Sequence, residues 1–382
     1  MPTHPTSRAT SATAPPTTAP HATQPSAGVA SSRGRLRLVA LASIALVSIL
    51  YALHRAHFDW TTFFAQLHHV AWSHVVVGVA LIYSTYWLRA WRWAELCRPQ
   101  RRVRIHEVLG PQFVGFTAVA LFGRLADLAR PYIIARRTGL PVASQVAVYT
   151  VERIFDLGAA AVVFSAALAF TPAGLPHREG LVQVGIGSLA ATLVLAAFAT
   201  AIRLRGEHIA GLIGRLLTRL SPKLATGVVP AVQHKILGFR DGLRAISSAR
   251  DFLTAAALSL AMWGLIGCVY WQTTHAFAQT PELAHLSFSR TMLLMAASLG
   301  GSLLQLPGLG WFTQIAATAA AMHGFYGAPI EASTACGALL LLISSLSIVP
   351  AGLLFARAQG LSLRQAATTS EAEPRAEAVP AP

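Results

Sequence analysis

The chain has 382 residues, 54% of them hydrophobic and only 12% charged, with a mean hydropathy of +0.53. That balance excludes an ordinary soluble domain and points to a membrane protein. The net charge of +15 comes from 30 basic residues, all arginine except Lys223 and Lys235. They crowd the ends of apolar runs, which fits orientation signals and anionic lipid contacts and argues against nucleic acid as a partner.

Several runs approach the roughly 20 residues a bilayer-spanning helix needs. They are continuous rather than alternating, so the expectation is an all-α polytopic fold and not a β-barrel. We expect about six to eight transmembrane helices and two re-entrant or broken elements. Cys97, Cys268 and Cys336 lie far apart, which predicts neither a disulfide framework nor a zinc site.

Residues 1–35 are rich in Thr, Ala, Pro and Ser, cannot bury enough apolar surface to order themselves, and read as a disordered cytoplasmic tail. Arg33, Arg35 and Arg37 precede the first run, Leu38 to Leu53, and predict a cytoplasmic N-terminus. The following loop holds His54, His57, His68, His69 and nearby His74, but also Trp60 and Trp72. Without ligand spacing, these read as interfacial aromatics with incidental histidines, and no metal is expected. The second run, Trp72 to Leu88, ends among Arg89, Trp91, Arg92 and Trp93, the mixture an interface demands.

Val108 to Phe122 is apolar for only 15 residues and is flanked by Arg104 and Arg124, so it reads as re-entrant. Helices are then expected from Val142 to Phe170, outward, and from Leu181 to Ile202, inward. Arg203 to Arg250 reads as a cytoplasmic connection with nine Lys or Arg against Glu207 and Asp241. Within it, Ile209, Leu212, Ile213, Leu216 and Leu220 recur at helical spacing beside Arg215 and Arg219, as in a basic helix lying on an anionic membrane surface. Phe252 to Phe277 crosses outward. Leu286 to Phe325 is broken at Pro307-Gly308-Leu309-Gly310 and is expected to dip from the outside. Ala332 to Ala356 returns the chain to the cytoplasm, and residues 359–382 read as a second disordered tail. Two interrupted elements of opposite orientation suggest an inverted repeat, on hydropathy and charge alone.

The stretch Gly123 to Leu157 carries the densest charge. Arg124, Arg130, Arg136 and Arg137 present paired donors that match phosphate oxygens, and Asp127 lies three residues from both Arg124 and Arg130. The alternative is ordinary positive-inside residues. Glu152, Arg153 and Asp156 are the charges of the next helix; Glu152 and Asp156 share a face, and Arg153 reaches Asp156. Intramembrane charges are functional candidates, the alternative being a structural ion pair near the interface. Pro307, Gly308 and Gly310 free backbone groups at a helix start that Trp311 and Gln314 follow, which reads as part of a translocation path or as a packing kink.

GRLADLARPYIIARRTGLP followed by VERIFDL, with LPGLGWFTQIAATAAAMHGF later in the chain, resembles the membrane domain of lysylphosphatidylglycerol synthases and their flippase-like relatives, over residues 36–358. The resemblance implies a lipid-handling domain of the cell membrane, of bacterial inner-membrane type, that moves amphiphilic lipids between leaflets. It also implies that the first motif normally reads Gly-Glu where this chain has Ala126-Asp127, and that a Glu normally stands where Gln314 does. The resemblance implies partners among anionic or aminoacylated phospholipids, with a lipid-modifying enzyme as an accessory partner. The soluble aminoacyl-transfer domain of the full synthases has no counterpart after Gly360, so no enzyme activity and no cofactor are expected. Two other readings stay open. One is an enzyme of phospholipid, polyprenyl-phosphate glycolipid or hopanoid metabolism using Asp127, Glu152 or Asp156 as acid or base; the other is a scaffold for a lipid-modifying enzyme.

Overall fold

Backbone amides that leave water must find partners within their own segment, and a helix is the simplest solution for a continuous apolar run. The computed structural model of the protein follows this rule: its described elements are helical, and no strand occurs among them. The structure describes residues 58–170, 178–220, 228–301 and 309–358, together with residue 43. The first predicted run apart from residue 43, both predicted tails and the break at Pro307-Gly308 lie outside the described residues.

In chain order the helices are α1 (Trp60–His68), α2 (Trp72–Cys97), α3 (Ile105–Phe122), α4 (Ala129–Thr138), α5 (Val142–Ala169), α6 (Arg178–Leu220) and α7 (Val228–Gly242). Then come α8 (Ala249–His275), the single turn α9 (Pro281–Ala284), α10 (Phe288–Gly301), α11 (Leu309–Tyr326), α12 (Ile330–Leu341) and α13 (Val349–Ala358). Short 3-10 turns cover Arg124–Leu128 and Leu243–Ala245, and a π turn, Leu342–Leu346, joins α12 to α13.

Among the described residues, α3, α8 and the Ile330–Ala358 element are long and apolar enough to cross a membrane. Helices α1 and α2, bent by 77°, would make a fourth span if counted as one. Helix α5 has the length, 28 residues, but carries Glu152, Arg153 and Asp156. One expectation changes. The run read as 15 residues and re-entrant is an 18-residue helix, because Ile105, His106 and Glu107 join it, so shortness no longer argues against a crossing.

Helix α2 packs along α8, and α10, α11 and α12 gather beside them around Met292, Leu294, Met295, Met322 and Leu340. A second core forms where α2 ends against α5, around Trp93, Leu96, Val148 and Val151. Helix α13 crosses α3 so closely that a Cβ at Gly352 would fall on Thr117. The α1–α2 elbow is tied to neighbouring helix ends. Ala71 N donates to Ala276 O (2.9 Å), Thr280 Oγ1 to Gln66 Oε1 (3.2 Å), Asp59 N to Glu331 Oε1 (3.3 Å), and His74 Nδ1 lies 2.5 Å from Gln272 Oε1.

Helix α6 breaks at Arg205 (φ −123°, ψ 22°), where the apolar run gives way to the basic connection. The part beyond the break folds back on α7, Gly206 against the Arg240 side chain and Gly214 against Gln233. Arg240 Nη1 donates to Glu207 Oε1 (2.7 Å), which holds the Glu207 carboxyl below the usual range. Leu212 and Leu216 are exposed beside exposed Arg215 and Arg219, while Ile209 and Ile213 of the same spacing are half-buried.

Helix α8 starts at a capping box in which Ser248 Oγ accepts from Asp251 N (3.2 Å) and Asp251 Oδ2 accepts from Ser248 N (3.0 Å). Ser248→Ala is expected to destabilise the protein by about 0.5–2 kcal/mol, read as a lower melting temperature of detergent-purified protein. An unchanged melting curve would show that the cap contributes nothing.

Candidate functional site

Helix periodicity builds the site from three elements. On α5, Glu152 and Asp156 lie four residues apart and share a face; they are 1% and 7% exposed. On α2, Arg89 and Arg92 lie three apart and meet that face. Arg92 is 1% exposed, and its Nη2 donates to Glu152 Oε1 (2.8 Å) while its Nη1 donates to Asp156 Oδ1 (2.6 Å) and Ser259 Oγ (2.6 Å). Arg89 Nη1 stands 3.9 Å from each of the same two carboxylates.

The third element follows α3. Gly123 turns the chain with φ 85°, a conformation that favours glycine, and the 3-10 turn and α4 then bring in Asp127 and Arg130. Arg130 is fully buried: Nε donates to Asp127 Oδ1 (2.6 Å), Nη1 donates to Gln112 Oε1 (3.0 Å) and lies 3.3 Å from Glu152 Oε2. Its guanidinium sits over the rings of Phe116 (4.3 Å), Tyr149 (5.2 Å) and Trp93 (5.7 Å). Tyr149 OH donates to Asp127 Oδ2 (2.7 Å), and Arg153 closes the group, 3.1 Å from Asp156 Oδ2 and 3.9 Å from Asp127 Oδ2.

Four guanidinium groups thus face three carboxylates, an excess of one positive charge. Burying ions costs several kcal/mol apiece unless geometry and hydrogen bonds offset it. Each carboxylate is committed to at least two arginines. The donors are not exhausted: Arg92 Nε and Arg130 Nη2 are buried without a hydrogen-bond partner among the described residues. Arg153 is the most open of the four, its side chain 29% exposed against 13% for Arg89. Chemically, this is a place to hold an anion by several charge-assisted hydrogen bonds.

Of the residues singled out from sequence, Asp127, Arg130, Glu152, Arg153 and Asp156 come together. Arg124 is exposed at the rim of this group, within electrostatic reach of Asp127 and Arg153, whereas Arg136 and Arg137 are exposed at the far end of α4. Sequence reasoning missed Arg89, Arg92, Gln112, Tyr149 and Ser259. The i, i+3 spacing of Arg89 and Arg92 was the available signal; their place beside tryptophans at the end of an apolar run made them read as interfacial anchors.

The later element adjoins this group across α3. Trp311 Nε1 donates to Ala120 O (3.0 Å), one turn beyond Phe116, the ring under both Arg89 (4.8 Å) and Arg130. Gly310 is buried, and Gln314, 7% exposed, donates from Nε2 to Ser298 Oγ (3.3 Å), which also accepts from Tyr270 OH (2.8 Å). Gln314 Oε1 has no partner among the described residues, which hold no cluster of three or more metal-ligating side chains.

Residues 38–352 match the family described as the lysylphosphatidylglycerol synthase TM region. No curated protein matches the chain. With that match across most of its length, on an all-helical fold with membrane-length apolar helices, the chain belongs to the lysylphosphatidylglycerol synthase transmembrane-region family and is a membrane protein.

Proposed function

We propose that the protein binds the anionic head group of an amphiphilic phospholipid at the Arg89–Arg92–Arg130–Arg153 cluster and moves the lipid between leaflets. The observation that carries this reading is the buried excess of arginine over carboxylate, with guanidinium donors left open. A phosphate supplies the missing negative charge and accepts from several such donors at once. Arg153, the most exposed member, receives the head group, and Arg130 and Arg92 hold it deeper. Trp311 ties the later element to the helix that carries Phe116, so movement of that element is felt at the cluster.

The carboxylates orient arginines rather than transfer protons, since none is free of a guanidinium, and this favours a transporter over an enzyme. The protein then works in a bacterial-type inner cell membrane with both termini in the cytoplasm and needs no cofactor. A lipid-modifying enzyme is its natural supplier of substrate.

The test is leaflet accessibility of head-group-labelled lipids in proteoliposomes. The wild type is expected to move anionic or aminoacylated lipid, and Arg153→Ala to lose most of that movement while keeping its melting temperature. Asp127→Asn, which leaves Arg130 without its nearest carboxylate, is expected to lose movement as well. Movement that survives both changes would place the head-group site elsewhere, and its absence for every head group would overturn the transport reading.

A further inference from the structure

Helix α5 has a second face. Ile154 points away from Glu152 and Asp156, and with Val151 and Phe155 on the adjoining flank it lines an apolar groove shared with Ala196 and Thr200 of α6, Leu243 and Ile246 after α7, and Phe252 of α8. Its volume is about 200 Å³, below the roughly 300–1,000 Å³ of a site for a whole drug-sized ligand. It therefore takes a stretch of one hydrocarbon chain. Phe252 is 53% exposed at its edge, and α6 continues the apolar surface on the same face through exposed Leu189 and Leu193. The groove thus opens on a face built for lipid rather than water.

Charge marks one end of it. Arg244 lies between the lining residues Leu243 and Ile246, and Arg250 lies two residues before Phe252; both are exposed. Two carboxylates lie near them in sequence and both are occupied: Asp251 in the cap of α8, accepting from Ser247 and Ser248, and Asp241 by Arg240 Nη2 (3.3 Å). Arg215 and Arg219, beside Leu212 and Leu216, add basic charge to the same α6–α7 connection.

We infer that the groove is a second lipid site, seating an acyl chain of an anionic phospholipid whose phosphate meets Arg244 and Arg250. It lies on the flank of α5 that adjoins the arginine cluster and does not depend on that cluster's function.

The test is photo-crosslinking in nanodiscs with phosphatidylglycerol or phosphatidylcholine carrying a diazirine on one acyl chain, followed by peptide mapping. Phosphatidylglycerol is expected to label residues 151–155 and 243–252 several-fold more than phosphatidylcholine. Ala196→Trp, which fills the groove, should lower that labelling several-fold. Thr200→Phe, at an exposed position, provides a second filling variant should the first fail to fold. Arg244→Gln with Arg250→Gln should bring the two lipids to equal labelling. Absence of labelling in both segments, labelling unchanged by groove filling, or equal labelling of the wild type by both lipids would overturn the inference.

Discussion

Glu152→Gln is expected to be among the most damaging single substitutions in the protein, costing about 3–5 kcal/mol of stability. The glutamine keeps the shape of the side chain and removes only its charge. That charge is met by all four arginines of the cluster: Arg92 at 2.8 Å, Arg130 at 3.3 Å, Arg153 at 3.4 Å and Arg89 at 3.9 Å. Without it the buried group holds four positive charges against two negative, and the released guanidinium groups have no route to water while Arg92 and Arg130 stay at 1% and 0% exposure. Asp156→Asn should cost less, because Arg153, which faces Asp156 at 3.1 Å, is partly open to solvent. Chemical denaturation of both variants in detergent measures the difference. A Glu152→Gln protein as stable as the wild type would mean that an anion already balances the cluster.

Gly115→Ala should come close to the same effect without altering any charge. A Cβ at Gly115 would overlap Cγ of Arg130 and crowd its Cδ as well. A long side chain at the surface would swing aside, but Arg130 is enclosed by Trp93, Phe116 and Tyr149 and tied to Asp127 and Gln112. One methyl group therefore unseats the guanidinium and leaves Asp127 and Glu152 short of a partner. Lipid movement in proteoliposomes should fall as far as in Arg130→Ala, with a lowered melting temperature. Gly115→Ala with wild-type transport would show that Arg130 can shift and is not needed where it stands.

Both effects rest on residues whose legibility in the sequence differed, for physical reasons. Glu152, Arg153 and Asp156 stood out because charges are costly within an apolar run. Their partners did not. Arg89 and Arg92 sit where positive-inside arginines belong, and only the continuation of α2 to Cys97 places them inside the bundle. Gln112 and Gly115 carry no motif; their roles follow from the crossing of α3 and α4. The helix from Val142 was legible nearly to the residue, since Pro141 and the length of the apolar run define both ends. The start of α3 was not, because Ile105, His106 and Glu107 look like loop residues until they are seen to extend the helix beneath Arg104.

The braced elbow has a mechanical consequence. Four ties hold the α1–α2 corner to the end of α8 and the starts of α9 and α12, so α2 is anchored there like a lever at its fulcrum. From Ala71 to Arg92 the helix runs roughly 31 Å, so a tilt of about 5° displaces Arg92 by between about 2 and 3 Å. That sweep is comparable to the full length of its bonds to Glu152 and Asp156. A rigid-body swing too small to disturb packing near the pivot is thus enough to engage or release the arginine at the far tip.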